Sequence, residues 1–276
     1  MQVLFCRLYQ HIAFCYYWLM SDNRNSKSSG KTTIALSVVF ALLVLVFLGI
    51  LFYPKIKLKL ALQKNYPLYG GMTDELQDST LYKDLQSGRS VCFLGDSITA
   101  GLTTNGVPWY QPLTPYIKGK VSNYSTSGWQ VKDLTDHITD IPVADIYIIA
   151  IGINDILFEN TANASVTSED FSINTGKLAT IISSRSDGAK IYFVSPWSFC
   201  NLDESYFIRG EEFRKAMESY CGNSDCIYID ADRVISSVLN KEGTGKYMYN
   251  EFHPNAPDGI GLFSYAVLKA AHDQGI

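Results

Sequence analysis

The chain has 276 residues, 47% of them hydrophobic, and its 23 basic and 27 acidic side chains leave a net charge of −4. That length accommodates one large domain with appendages. From Pro54 onward 19 basic side chains stand against 26 acidic ones, a net charge of −7. This excess argues against nucleic acid as the main partner, because phosphate binding needs clustered lysine and arginine. It also argues against tight docking of that part on anionic lipid.

Residues 1–33 read as an N-terminal tail. Its first 19 residues are aromatic and interrupted by Arg7 and His11, whereas a polar Ser/Asn/Lys stretch follows Met20. Met20 is therefore expected to be the native start. Ser29-Gly30-Lys31-Thr32 has the end of a phosphate-binding loop, but Asn25 stands where that loop needs its first glycine, and no strand precedes it. No nucleotide is expected. Residues 34–53 (IALSVVFALLVLVFLGILFY) carry no charge and no proline, and about 20 apolar residues suffice to cross a bilayer as a helix. No small-residue cleavage pattern follows, so the block is read as an uncleaved single-pass anchor. Arg24, Lys27 and Lys31 before it nearly balance Lys55, Lys57, Lys59 and Lys64 after it, so flanking charge does not set the orientation.

Residues 54–88, lysine-rich at first and then polar with a Gly-Gly pair, read as a spacer without a fold of its own. From residue 89 to 276 strand-like and helix-like runs alternate. The strand-like runs are Ser90–Leu94, Val121–Tyr124, Ile146–Ala150, Lys190–Val194 and Cys226–Ile229. Helical stretches are expected around Pro112–Ile117, Val131–Ile138, Asp170–Ser184, Arg209–Tyr220 and Gly259–Ala271. Strands apolar on both sides and separated by helices imply a parallel sheet covered on both faces. Right-handed crossovers then give a three-layer α/β/α sandwich with about five strands. In such sheets the ligand site lies at the carboxyl ends of the strands.

Four loops at that edge carry chemistry. The first strand ends in Gly95-Asp96-Ser97-Ile98-Thr99, the second in Ser125-Thr126-Ser127-Gly128-Trp129, and the third in Ile151-Gly152-Ile153-Asn154-Asp155. Phe252-His253-Pro254-Asn255 precedes the last helix. Alone, Asp96-Ser97 reads better as a cap on the following helix than as a catalytic motif. Together the loops supply a serine hydroxyl, a base with a pKa of about 6.5 to accept its proton, and donors for an oxyanion. His11, His137 and His272 are less well placed. Cys92 lies in a strand-like run and reads as a buried thiol. Cys200, Cys221 and Cys226 show no zinc-type pairing. Cys221 and Cys226 flank a turn-like Gly-Asn-Ser-Asp and are expected to stay unpaired, although an oxidising side would permit a local disulfide. Asp96, Asp155 and His253 sit on separate loops without metal-ligand spacing, so no metal and no cofactor are expected.

In this order and spacing the GDSIT and GIND runs, with Gly128 and His253, resemble the SGNH hydrolases of the GDSL esterase/lipase family, over roughly Ser90 to the C-terminus. The resemblance implies the flavodoxin-like SGNH fold, with Ser97 as nucleophile and His253 as general base. It implies an oxyanion hole from the Gly128 N–H, the Asn154 amide and the Ser97 N–H. It departs at one place: the family's aspartate three positions before the histidine is Asn250 here. Asn250 orients His253 through its amide oxygen, Glu251 or Asp258 supplies the acid, or a backbone carbonyl serves in a dyad. Trp109, Trp129 and Trp197 fall on carboxyl-edge loops and are candidates for substrate contact with a sugar ring or acyl chain. By analogy with the family, the expected substrate is an acyl ester, O-acetyl first, on envelope or extracellular carbohydrate, met by a domain outside the cytoplasm. Two rival readings are an O-acetyltransferase using the same serine and a glycan-binding module with a disabled site.

Overall fold

The computed structural model describes residues 30–157 and 166–276, with side chains from residue 39 onward. The expected start at Met20 and most of the tail lie outside the described residues. Helix α1 (Gly30–Leu62) contains the charge-free block and continues through Pro54 and the alternating lysines. Its stretch Val39–Leu62 has a mean hydropathy of 2.4 and is long and apolar enough to cross a membrane. Its apolar side chains are exposed on every side, Leu43, Leu45 and Ile50 among them. A helix apolar all round is stable only with its surface out of water.

Residues 54–88 are not a bare spacer. Beyond the end of α1 they form helices α2 (Asp74–Gln77) and α3 (Thr80–Gln86). Thr73 Oγ1 accepts from Leu76 N at 3.4 Å and Ser79 Oγ from Tyr82 N at 3.1 Å, capping the two first turns. Leu68, Leu76, Leu81 and Leu85 are buried in the core, so the folded domain begins before residue 89. Helices of four and seven residues are too short for hydrophobic periodicity to reveal, and only the Ser/Thr caps marked them.

The sheet contains β1 (Val91–Gly95), β2 (Val121–Ser125), β3 (Ile146–Ala150), β4 (Lys190–Val194) and β5 (Ile227–Ile229), all parallel, in the order β2-β1-β3-β4-β5. After β1 the chain steps outward to β2, then returns past β1 to β3. The direction of winding therefore reverses around β1, which opens a crevice at its carboxyl end. Helices α5 (Val131–Asp136), α7 (Ser168–Arg185) and α8 (Glu204–Gly222) pack as one layer. Helices α9 (Ala231–Glu242) and α10 (Asp258–Asp273), with α3, form the other. Between them α4 (Ser97–Ala100) and α6 (Ile153–Leu157) are single turns at the carboxyl edge. Helix α9 was not expected: its Val234, Ile235, Val238 and Leu239 have helical spacing, but β-branched residues also suit strands.

Candidate active site

Every residue of β1 is buried, and the strand delivers Ser97 to the crevice. Gly95 is required there, because a Cβ would lie 2.3 Å from Ala150 O and from Thr99 Oγ1. Asp96 Oδ1 accepts from Ile98 N at 2.9 Å, so the capping reading of this motif holds alongside the chemical one. Ser97 itself is only 4% exposed.

His253 reaches the serine from the segment before α10, its Nε2 lying 2.9 Å from Ser97 Oγ. Tyr249 N donates to His253 O at 2.8 Å and Asn255 N to Tyr247 O at 2.9 Å, closing that segment into a short hairpin. Cys200 N, on the loop after β4, donates to Glu251 O at 2.7 Å and ties the hairpin to the sheet edge. Burial holds the His253 imidazole below its ordinary pKa, which favours the neutral ring needed of a base.

The Asn250 oxygen gathers three donors. Oδ1 accepts from Phe252 N at 3.2 Å and His253 N at 2.8 Å, and lies 3.2 Å from His253 Nδ1. Two backbone N–H groups fix the amide with its oxygen inward, since an NH₂ there would oppose two donors. Facing an acceptor, Nδ1 carries the proton, and Nε2 is left as the lone pair toward Ser97. Glu251 and Asp258 are both exposed, and it is the amide oxygen of Asn250 that lies beside Nδ1.

The opposite side is built from β2 and α6. Thr126 N donates to Gly95 O at 3.3 Å, bringing the loop after β2 against the nucleophile turn. Trp129 N donates to Thr126 O at 3.3 Å, which closes a four-residue turn with Gly128 third at φ +83°. That positive φ is the signature of a type II turn and favours glycine. Asn154 is buried, and its Nδ2 donates to Trp129 O at 2.8 Å. One amide N–H is spent on that carbonyl, and the second is available to an oxyanion.

Two carboxyl groups in these loops, weighed in the sequence only as a helix cap and as metal ligands, prove to be buried. Asp96 and Asp155 are 0% and 2% exposed. Burial raises each pKa from 3.8 to about 7, and the proximity of Asp96 adds to the rise at Asp155. Asp155 accepts from Val131 N at 3.3 Å, tying α6 to the start of α5, whereas Asp96 Oδ2 has no partner. Arg209, on α8, donates to Asp155 O at 3.0 Å and Ile156 O at 2.9 Å, holding the end of α6. Their residue types gave no signal, since an aspartate in a polar motif reads as exposed.

The three tryptophans divide. Trp109 and Trp197 are fully buried and pack edge to face at 5.1 Å, with Trp109 Nε1 donating to Thr99 Oγ1 at 3.2 Å. Trp109 thereby supports the turn that carries Ser97, and neither ring presents a face to a substrate, which corrects the expectation for both. Trp129 is half-buried and stacks on the exposed His137 at 4.9 Å, beside Gly128. The four described cysteines, Cys221 and Cys226 included, are free. Among the described residues, one group with metal-ligating proximity occurs, Glu75, His272 and Asp273. Lys269 already fills it, bonding Glu75 at 3.0 Å and pairing with Asp273.

Comparison with known proteins places this arrangement. The sequence model of the GDSL-like lipase/acylhydrolase family matches residues 93–257. Among solved structures, a protein assigned as a GDSL-like lipase from Parabacteroides merdae superposes with a TM-score of 0.59 at 19% identity, covering 67% of this chain and 95% of that one. An acetylxylan esterase from Geobacillus stearothermophilus gives 0.58 at 17% identity, over 68% and 95%. LAE5, an α/β hydrolase from the metagenome of Lake Arreo, gives 0.58 at 18%, over 67% and 95%. At these identities the likeness is one of fold. No curated protein matches the chain significantly.

Proposed function

The chain belongs to the family of GDSL-like lipases and acylhydrolases, and on that premise we propose that it hydrolyses acyl esters through an acyl intermediate on Ser97. The observation that carries this reading is the 2.9 Å contact between Ser97 Oγ and His253 Nε2 at the carboxyl end of β1. In the first step Oγ attacks the ester carbonyl while Nε2 takes its proton. The oxyanion that forms is met by the N–H groups of Ser97 and Gly128 and by the free N–H of Asn154. Collapse expels the alcohol, which receives the proton from His253. Water, activated by the same nitrogen, then releases the acid.

The substrate class we propose is an O-acetyl ester on envelope or extracellular carbohydrate. Supporting this is the acetylxylan esterase among the structural neighbours, together with the half-buried Trp129 ring beside the oxyanion side. Helix α1 anchors the chain in a membrane, with the hydrolase domain on the extracytoplasmic side, where such polymers lie. The experiment is labelling of the folded chain with a fluorophosphonate, paired with turnover of p-nitrophenyl acetate. Labelling at Ser97 and loss of turnover in Ser97→Ala are expected. An unlabelled, inert protein would instead indicate a binding module.

A further inference from the structure

The loop that follows the nucleophile leads to the end of α1. A Cβ added at Gly106 would lie 2.8 Å from Leu58 Cδ1, so that leucine packs directly over the glycine. Five residues on, Gln111 Nε2 donates to Leu62 O at 2.9 Å. The same loop touches the histidine hairpin, where Thr103 Oγ1 donates to Pro254 O at 3.1 Å. The chain from Ser97 to Gln111 thus passes from the nucleophile, along the base, to Leu58 and Leu62.

Leu58 is five residues from Tyr53, the last residue of the charge-free block. Fully extended, five residues span at most about 18 Å, at about 3.3–3.6 Å each. Leu58, which packs on the loop that follows Ser97, is therefore tethered within about 18 Å of the end of the block. Two large apolar side chains stand exposed beside the base on this edge, Leu102 at 58% and Tyr249 at 66%. Such side chains suit a lipid–water interface better than open water. The acidic balance of the domain makes an anionic surface a poor partner, which leaves apolar contact as the attraction.

We infer that the ester is carried by a glycan itself held in the bilayer through a lipid, and not by a freely diffusing sugar. The inference rests on the hydrolase reading and on α1 crossing the membrane. The full chain, reconstituted in phosphatidylcholine vesicles, is given one O-acetylated sugar in two forms, a hexadecyl glycoside that enters the bilayer and a methyl glycoside that stays in water. Confinement to one surface raises effective concentration, and the hexadecyl form is expected to turn over at least about ten-fold faster at equal bulk concentration. A flexible Gly/Ser insert of about 20 residues between Tyr53 and Pro54 adds about 25 Å of root-mean-square reach and leaves the Leu58 and Leu62 contacts in place. It is expected to lower the ratio at least about three-fold while the methyl glycoside rate holds. Equal rates on the two forms, or a ratio that ignores the insert, overturns the inference while the hydrolase reading stands. Failure to cleave either form, with Ser97 unlabelled by fluorophosphonate, overturns both.

Discussion

Replacing Asn250 by aspartate exchanges one amide nitrogen for an oxygen and adds a charge beside the base. All three donors that converge on Asn250 Oδ1, at 2.8 to 3.2 Å, would remain satisfied by a carboxylate. In a serine protease the reverse exchange costs about 10⁴ in turnover, through the wrong tautomer. Here the tautomer is already set by the inward oxygen, so only the missing charge is to be gained. Opposite charges about 4 Å apart attract by about 4 kcal/mol at an effective dielectric of about 20, before desolvation of the carboxylate is subtracted. A net gain of about 1.4–2.7 kcal/mol remains a reasonable share, equal to about 10–100-fold in kcat. The same charge stabilises the imidazolium, so the acid limb of the pH profile, set below the ordinary histidine range by burial, should move to higher pH. The assay is kcat and kcat/KM on p-nitrophenyl acetate from pH 5 to 9 for the wild type and Asn250→Asp, with Tm as a folding control. An unshifted acid limb and no rise in kcat, in a variant with wild-type Tm, would refute the placing of Asn250 behind the base.

Asn154→Ala removes the donor opposite Gly128 and should lower kcat by about 10²–10³ with KM little changed; an unchanged kcat would remove Asn154 from the oxyanion hole. Asp155→Asn tests the buried carboxyl. With its pKa raised to about 7 from 3.8, the native state holds a proton the unfolded chain has lost, so this group's contribution falls as pH rises from about 4 to 7. About three units correspond to something on the order of 4 kcal/mol. The variant should therefore gain most in Tm relative to wild type at pH 8 and least at pH 4, with the opposite contribution of His253 cancelling in the comparison. Parallel Tm curves would sink the assignment. Trp109→Ala should cost about 3–5 kcal/mol of stability, as for other buried aromatic truncations. Trp129→Ala should leave Tm nearly unchanged and raise KM for the carbohydrate ester; an unchanged KM would exclude Trp129 from substrate contact.

Where burial follows from local pattern, the sequence was a good guide. Four of the five strand runs are apolar on both faces, as a covered parallel sheet requires, whereas β2 at the sheet edge is only half-buried; a parallel sheet with reversed winding then fixes which loops meet. The placing of Ser97, Gly128, Asn154 and His253 at one edge of the sheet was legible because each directly follows or precedes such an element. The tryptophans were not, because a position on an edge loop does not say whether the ring turns outward or folds under the loop. Trp109 and Trp197 fold under and find each other across 88 residues of chain. The burial of Asp96 and Asp155 was hidden for the same reason: whether a carboxyl is solvated depends on what packs over it, and residues distant in sequence decide that. The folded stretch before residue 89 escaped notice because helices α2 and α3 are too short to carry a period.

The departure at Asn250 separates two jobs that an aspartate performs together. One is steric and directional: to set the ring and its tautomer. Three convergent donors on a neutral oxygen accomplish that without charge. The other is electrostatic, the stabilisation of the imidazolium that forms as Ser97 loses its proton, and an amide dipole supplies little of it. With burial also disfavouring the charged ring, His253 is well prepared to be neutral and poorly prepared to be cationic. Proton transfer from Ser97 is then the step that lacks support. On the proposed mechanism the compensation falls on the oxyanion side, where charge develops at the same moment, and the donors proposed at Gly128 and Asn154 carry more of the barrier than they would beside a full triad. Combining Asn154→Ala with Asn250→Asp tests this: the Asn154 penalty should be smaller in the aspartate background, and an equal penalty would show the two sides to be independent.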